Sequence, residues 1–218
     1  MDLVSALRTT GAARRFAAEA VERATVAAIL DDARFAPSGG NRQPWRVAVV
    51  EDRLVRQQLA ALMRPVWDEY VAAAATGQTP FNAVTFEPPA TVAARQPNEL
   101  LDHIEHIPVV LVVAADLRRI ALMDGDLARP PITGGASVYP FCWSVLLAAR
   151  ERGLGGVMTT FLSRVEPAAI PFLGLPPAYA LAATIFLGRP EHQPTHLRRD
   201  AVSSFTTVDR FDGDAFST

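Results

Sequence analysis

The sequence contains no lysine: all 21 of its basic residues are arginine. That absence excludes Schiff-base chemistry on an ε-amine and a P-loop, whose phosphate grip uses a lysine. Any anion bound here is held by guanidinium groups, hydroxyls or backbone N–H groups. A single cysteine, Cys142, excludes an intramolecular disulfide and a multi-cysteine metal cluster. Strong charge of either sign is missing as well. With 23 acidic residues the formal net charge is −2, which gives no general pull toward nucleic acid or acidic membranes. Long apolar runs are also lacking: the longest, 108–115 and 178–188, fall short of the roughly 20 residues that cross a bilayer. Residues 1–16 lack the apolar centre of a signal peptide. A cytoplasmic protein with no membrane or nucleic-acid partner is expected.

What is present is material for a core. Half of the 218 residues are apolar and a fifth are charged, which excludes disorder, a collagen-like repeat and a coiled coil. A chain of this length buries roughly 70% of the surface it exposes when unfolded. No repeat or linker divides it, so one α+β domain over residues 1–218 is expected.

Periodicity predicts a short helix at 2–8 and an amphipathic helix at 22–35, where Val26, Ile29, Leu30 and Ala33 share a face. Ala36-Pro37-Ser38-Gly39-Gly40 stops that helix. Strands are predicted at 45–51, 109–115, 155–161 and 181–187, with a further one at 203–208. Helices are predicted at 54–63, 65–75 and 98–106. A long one begins between 135 and 139 and ends at Arg152, with Arg150 and Arg152 in its last turn and Gly153 as its left-handed stop. This helix is apolar on most sides, which places it centrally or at a subunit interface. Residues 77–97, with Pro80, Pro88, Pro89 and Pro97, read as an irregular lid or binding loop.

The strongest local feature is Ala36 to Trp45, APSGGNRQPW. It is rich in backbone donors and carries two amides, Asn41 and Gln43, whose side chains would point the same way in an extended stretch. Turn chemistry alone accounts for its Gly, Pro, Ser and Asn; reading the polar edge of a heterocycle is the alternative. Other features carry less. Gly153-Leu154-Gly155-Gly156 follows a helix and precedes a strand, the reverse of a dinucleotide-binding turn. His103 and His106 have no third ligand in sequence reach, and His192 and His196 are split by Pro194, so no metal is expected. Cys142, between Phe141 and Trp143, reads as core rather than nucleophile.

An ordered set of landmarks joins these features. Arg14-Arg15-Phe16 comes first, then the amphipathic helix and APSGGNRQPW. Gly134-Gly135-Ala136, Arg152-Gly153-Leu154-Gly155 and Met158-Thr159-Thr160 follow, then Leu187-Gly188-Arg189-Pro190, and Leu197-Arg198-Arg199 closes the series. Together they resemble the FMN-dependent nitroreductase superfamily over nearly the whole chain. The resemblance implies a central mixed, mostly antiparallel sheet flanked by helices, in an interleaved homodimer that binds FMN across its interface. It implies that Arg14 contacts the flavin phosphate or pyrimidine edge. Pro37, Ser38 and Gly39 lie against the ring from the partner subunit, and Asn41 and Gln43 supply amides. Thr159 and Thr160 pass flavin N5, where a hydroxyl or the N–H groups around Leu162 and Ser163 donate, and Arg198 or Arg199 clamps the phosphate. No protein side chain is assigned as an obligatory acid or base.

The family's N-terminal pattern is commonly Arg-x-Ser-x-Arg/Lys-x-Phe. Counting back from Phe16, this chain has Arg14, Ala12 and Thr10, so Arg8 and Thr10 are the substitute phosphate contacts. Residues 65–97 fall where the family varies its substrate cap, with Trp67, Tyr70, Phe81 and Phe86 as core or lid aromatics and Asn82 as a polar contact. Residues from about 197 to 218 form a C-terminal extension. The implied activity is reduction of planar acceptors, nitroaromatics or quinones, by NADH or NADPH in a ping-pong two-electron cycle. Reductive dehalogenation, flavin fragmentation and non-catalytic flavin sequestration are the alternatives.

Overall fold

The computed structural model describes residues 1–216 except Ala94. Four strands form one sheet in the order β1-β2-β4-β3, namely β1 (Trp45–Val49), β2 (Val109–Asp116), β3 (Gly155–Thr159) and β4 (Tyr179–Gly188). Every neighbouring pair is antiparallel, so among the described residues the sheet contains none of the parallel pairing a mixed sheet would have. The two central strands are the chain's longest apolar runs. Every residue of β2 is buried, as expected of a strand covered on both faces. Among the described residues no helix is long and apolar enough to cross a membrane.

On one face, Leu111, Val113, Ile185 and Leu187 meet α2 (Arg23–Ala33) and α5 (Tyr139–Glu151). The predicted stripe of α2 is the one that packs: Val26, Ile29 and Ala33 are buried. On the other face, Val110, Val112, Val157 and Phe186 meet α3 (Arg53–Ala75), α4 (Glu99–Asp102), α6 (Phe161–Arg164) and α7 (Glu166–Leu173). A short α1 (Leu3–Thr9) starts the chain, its N-terminus capped by Asp2, which accepts from the Ser5 N–H at 3.0 Å.

Several sequence expectations are corrected. The helices expected at 54–63 and 65–75 are one helix with Pro65 inside it. Met63, Val66 and Ala73 are buried on either side of the proline, so packing outweighs the lost backbone bond. The helix expected at 98–106 is α4 followed by a 3-10 turn at Ile104–His106. The strand expected at 203–208 is a 3-10 turn at Val202–Ser204 with an isolated bridge between Thr207 and Ala215. Strand β3 stops at Thr159 rather than 161, because Phe161 opens α6. Residues 77–97 contain no helix or strand among the described residues.

The two ends of the chain lie together along the β3 edge. The Ala13 N–H donates to Gly156 O at 3.0 Å, Ala17 N–H to Arg189 O at 2.9 Å and Gly11 N–H to Pro194 O at 3.2 Å. Gly11 is required by this approach: a Cβ there would sit 2.6 Å from Pro194 O.

Candidate active site

Arg14 is set by the backbone pairing just described, between Ala13 on Gly156 and Phe16 bridged to Pro190. Its guanidinium is exposed and has no carboxylate within salt-bridge distance among the described residues, whereas neighbouring Arg15 pairs with Glu99. Both arginines line a cleft of about 410 Å³ with Phe16, His103 and His106. Arg8 ends α1, exposed and likewise without an ion-pair partner among the described residues. Arg198 and Arg199 are exposed, Arg199 Nη1 donating to Arg198 O at 2.6 Å. Thr10 donates its hydroxyl to Ala6 O at 2.7 Å, which leaves that oxygen only as an acceptor. Unpaired arginines from both ends of the sequence thus stand near one edge of the sheet.

The loop from Pro37 to Gln43 leads into β1 at the other edge. Its ends are anchored by Ala36 and Pro44, both buried, and by Trp45, stacked on Phe141 with ring centroids 4.8 Å apart. Between the anchors the backbone is not extended: Gly40, Asn41 and Gln43 have φ of 58°, 53° and 47°. Ser38 Oγ accepts the Gln43 N–H at 2.9 Å, and the Gly39 N–H donates to Ser137 Oγ at 3.0 Å. Asn41 and Gln43 still form one polar patch, because Gln43 Nε2 donates to Asn41 Oδ1 at 3.1 Å. Left-handed non-glycine residues held by side-chain bonds are a conformation that the surroundings must enforce.

The third part lies where β3 turns into α6. Thr159 and Thr184 face one another across β3 and β4. Their hydroxyl oxygens and that of Ser163 are buried with no hydrogen-bond partner. The Thr159 oxygen therefore lies inside the protein rather than on its surface. Thr160 is exposed, and the Phe161 and Leu162 N–H groups have no acceptor among the described residues. The Ser163 N–H is taken by Thr160 O at 3.1 Å. Of the two N–H groups the sequence suggested, only that of Leu162 is available, and Phe161 supplies its partner. Thr159 follows Gly156 by three residues, so Arg14, beside Gly156, stands about 10 Å from this turn along the edge strand.

Against that turn the structure assembles the aromatics. Phe161 lies 5.8 Å from both Trp67 and Tyr70, edge-on to each; Trp67 and Tyr70 stack at 5.7 Å, and Tyr70 reaches Phe81 at 6.3 Å. Phe86 packs on Phe81 at 4.9 Å. Asn82 is spent on its own loop: its Oδ1 accepts from the Val84 and Thr85 N–H groups at 3.1 and 2.7 Å. Sequence reasoning missed Phe161, read as strand, and Ser137. The signal for α7 was available in Glu166-Pro167, proline being favoured in a helix's first turn.

The loop is the part left out. Strands β1 and β3 are separated by two others, so Pro37–Gln43 stands about 14 Å across the sheet from the β3 edge. Among the remaining candidates, Cys142 is buried, which pushes its thiol up to about 12 and leaves it inert. His103 and His106 are exposed, and no metal-binding group of side chains occurs among the described residues.

The Nitroreductase family matches residues 7–189, nearly all of the sheet and its covering helices. This chain belongs to the nitroreductase family. Arg198 and Arg199 lie beyond the matched span. Its fold is nitroreductase-like: a structure of NADPH:FMN oxidoreductase from Vibrio harveyi complexed with NAD+ superposes with a TM-score of 0.69 at 19% identity, covering 96% of this chain and 77% of that one. A structure named for a nitroreductase in complex with FMN, from Desulfovibrio desulfuricans, gives 0.69 at 22% identity, covering 97% and 98%. Among characterised relatives, the 5,6-dimethylbenzimidazole synthase of Rhodospirillum rubrum is 29% identical over 85% of this chain and 82% of its own length. The NADH dehydrogenase of Thermus thermophilus is 29% identical over 84% and 85%. This nitroreductase-family chain is thus an oxidoreductase by family.

Proposed function

We propose that two copies of this chain interleave, bind FMN between them, and use NADH or NADPH to reduce planar acceptors such as nitroaromatics or quinones by two electrons. The observation that carries this reading is the division of the site. Arginines and N–H groups without partners among the described residues stand along the β3 edge, while the strained amide loop stands at the opposite edge of the same sheet. A second copy, turned to present its loop, would bring both halves onto a single flavin. Exposed apolar side chains support such an interface: Leu3, Val4 and Leu7 on α1, Tyr139 and Trp143 on α5, and Phe205 and Phe211 in the C-terminal segment.

The residues present fit FMN. Its phosphate is a dianion, which Arg8, Arg198 and Arg199 suit without lysine, Thr10 lying alongside. Arg14 would face the pyrimidine edge or the phosphate, and the Phe161 and Leu162 N–H groups would donate toward N5 beside Thr160. Pro37, Ser38 and Gly39 of the partner copy would lie against the ring, with Asn41 and Gln43 at its polar edge. Bound there, FMN would supply the two-electron chemistry that links nicotinamide to acceptor. The chain's own work is to position and to exclude water. Trp67, Tyr70 and Phe81 would cover the exposed ring face and stack the nicotinamide and the acceptor in turn, which gives ping-pong kinetics. The cytoplasm is the compartment proposed for it.

A second reading has support of its own. Two characterised relatives are 5,6-dimethylbenzimidazole synthases, at 29% and 27% identity, which favours oxygen-dependent fragmentation of reduced flavin on the same scaffold. One set of measurements separates the readings. The purified protein is expected to be yellow, to bleach anaerobically with NAD(P)H and to regain colour with a nitroaromatic or quinone. Dimethylbenzimidazole formed from reduced FMN and oxygen would select the second reading. Bleaching without turnover would indicate sequestration, and a protein colourless after added FMN would end all three.

A further inference from the structure

Among the described residues one guanidinium touches the aromatic cluster beside the β3–α6 turn, that of Arg164, which sits 4.1 Å over the Phe81 ring. It closes α6, three residues after Phe161 and four after Thr160, so it lies on the same turn of helix as the proposed N5 neighbours. Its Nη2 donates to the Glu69 carboxylate at 3.1 Å. Nε and Nη1 have no acceptor among the described residues, and the side chain remains 45% exposed. Stacking on a ring uses the face of a guanidinium and leaves its edge free for a second, planar partner.

Among the other charges of the lid, the Glu87 carboxylate has no ion-pair partner among the described residues and the rest are engaged. Arg64 pairs with Asp102 at 2.6 Å, and Arg95 lies 3.8 Å from the same carboxylate. Asp68 is buried and accepts the Arg95 and Gln96 N–H groups at 3.2 and 2.7 Å. Glu69 would repel an anion approaching the cluster were Arg164 not beside it. What remains on offer is therefore one half-free cation at the rim of an apolar, ring-stacking surface.

We propose that Arg164 is the specificity residue of this site and selects anionic planar acceptors, aromatic carboxylates above all. The ring lies against Trp67, Tyr70 and Phe161, and the carboxylate accepts from the free Nη1 end of Arg164 while Nη2 holds Glu69. This assignment rests on the proposed reduction of planar acceptors.

The test compares 4-nitrobenzoate with its neutral methyl ester as acceptors for the FMN-loaded enzyme, and measures binding of benzoate and benzamide by quenching of tryptophan fluorescence. The wild type is expected to favour the carboxylate over the ester in kcat/KM by about tenfold, the scale of one charge-assisted hydrogen bond. Benzoate is expected to bind more tightly than benzamide. Arg164→Gln should erase both preferences, Arg164→Lys should keep part of them, and Glu69→Gln should tighten benzoate. A wild type with no preference for either anion, or an Arg164→Gln enzyme that keeps it, overturns the assignment while leaving the reductase reading intact. Benzoate binding that depends on Arg164, in a protein that reduces neither acceptor, would leave Arg164 an anion-binding residue and overturn its role in acceptor choice together with the reductase reading.

Discussion

The arginines of this chain divide into those already paired and those left free, and the division is what gives each a role. Arg15, Arg23 and Arg189 are tied to Glu99, Glu51 and Glu19 and serve the surface. Arg14, next to Arg15 in sequence, has no such partner among the described residues, although the backbone around it is fixed by pairing to Gly156 and Pro190. A fixed backbone bearing an unneutralised cation is what an anionic cofactor edge needs. Arg14→Ala is therefore expected to weaken FMN retention by roughly tenfold to a hundredfold, the range for losing a hydrogen bond to a charged group. The ratio of flavin to protein absorbance after gel filtration measures it, and an unchanged ratio would show the clamp to be elsewhere. At this scale residue types were legible in the sequence but their state was not. Asn41 and Gln43 were legible as a pair of amides; the left-handed backbone that brings them together was not. Asn82 was legible as polar, but only the folded loop shows it consumed by Val84 and Thr85.

Among the elements, the strands were read most directly, because β2 and β4 are buried on both faces and leave continuous apolar runs with few alternatives. Helix α3 was read as two because Pro65 lacks the N–H that would bond Ala61 O, and in isolation that break is decisive. Burial of Leu59, Met63, Val66 and Ala73 along one side of α3 holds the helix together across it. Pro65 is itself exposed, so Pro65→Ala is expected to stabilise the protein by about 1–3 kcal/mol by restoring the bond and the helix propensity. Urea denaturation measures this. Lost stability would show instead that a bend at Pro65 is needed to set Trp67 against Phe161. The short helices α6 and α7 escaped because four- and eight-residue segments leave too little periodicity to detect.

On the scale of the whole molecule, the decisive fact is that the two halves of the candidate site stand on opposite edges of one sheet. If a partner's loop completes each site, cofactor binding and association are one equilibrium. Dilution below the dimer dissociation constant should then release FMN in step with the appearance of monomer. Analytical ultracentrifugation beside flavin fluorescence reads both, and a monomer that keeps its FMN would refute the shared site. The sequence by itself determined the family, the order of the four strands and of the longer helices, and that guanidinium groups are the only side-chain cations besides histidine, since each is written in residue types and their spacing along the chain. Only the tertiary structure decided which arginines are free, where the amide loop stands relative to the N-terminal arginines, and that Arg164 meets Glu69 and Phe81. These depend on contacts between segments up to about 180 residues apart, set by how the helices pack on the two faces of the sheet and by which edges that packing leaves open.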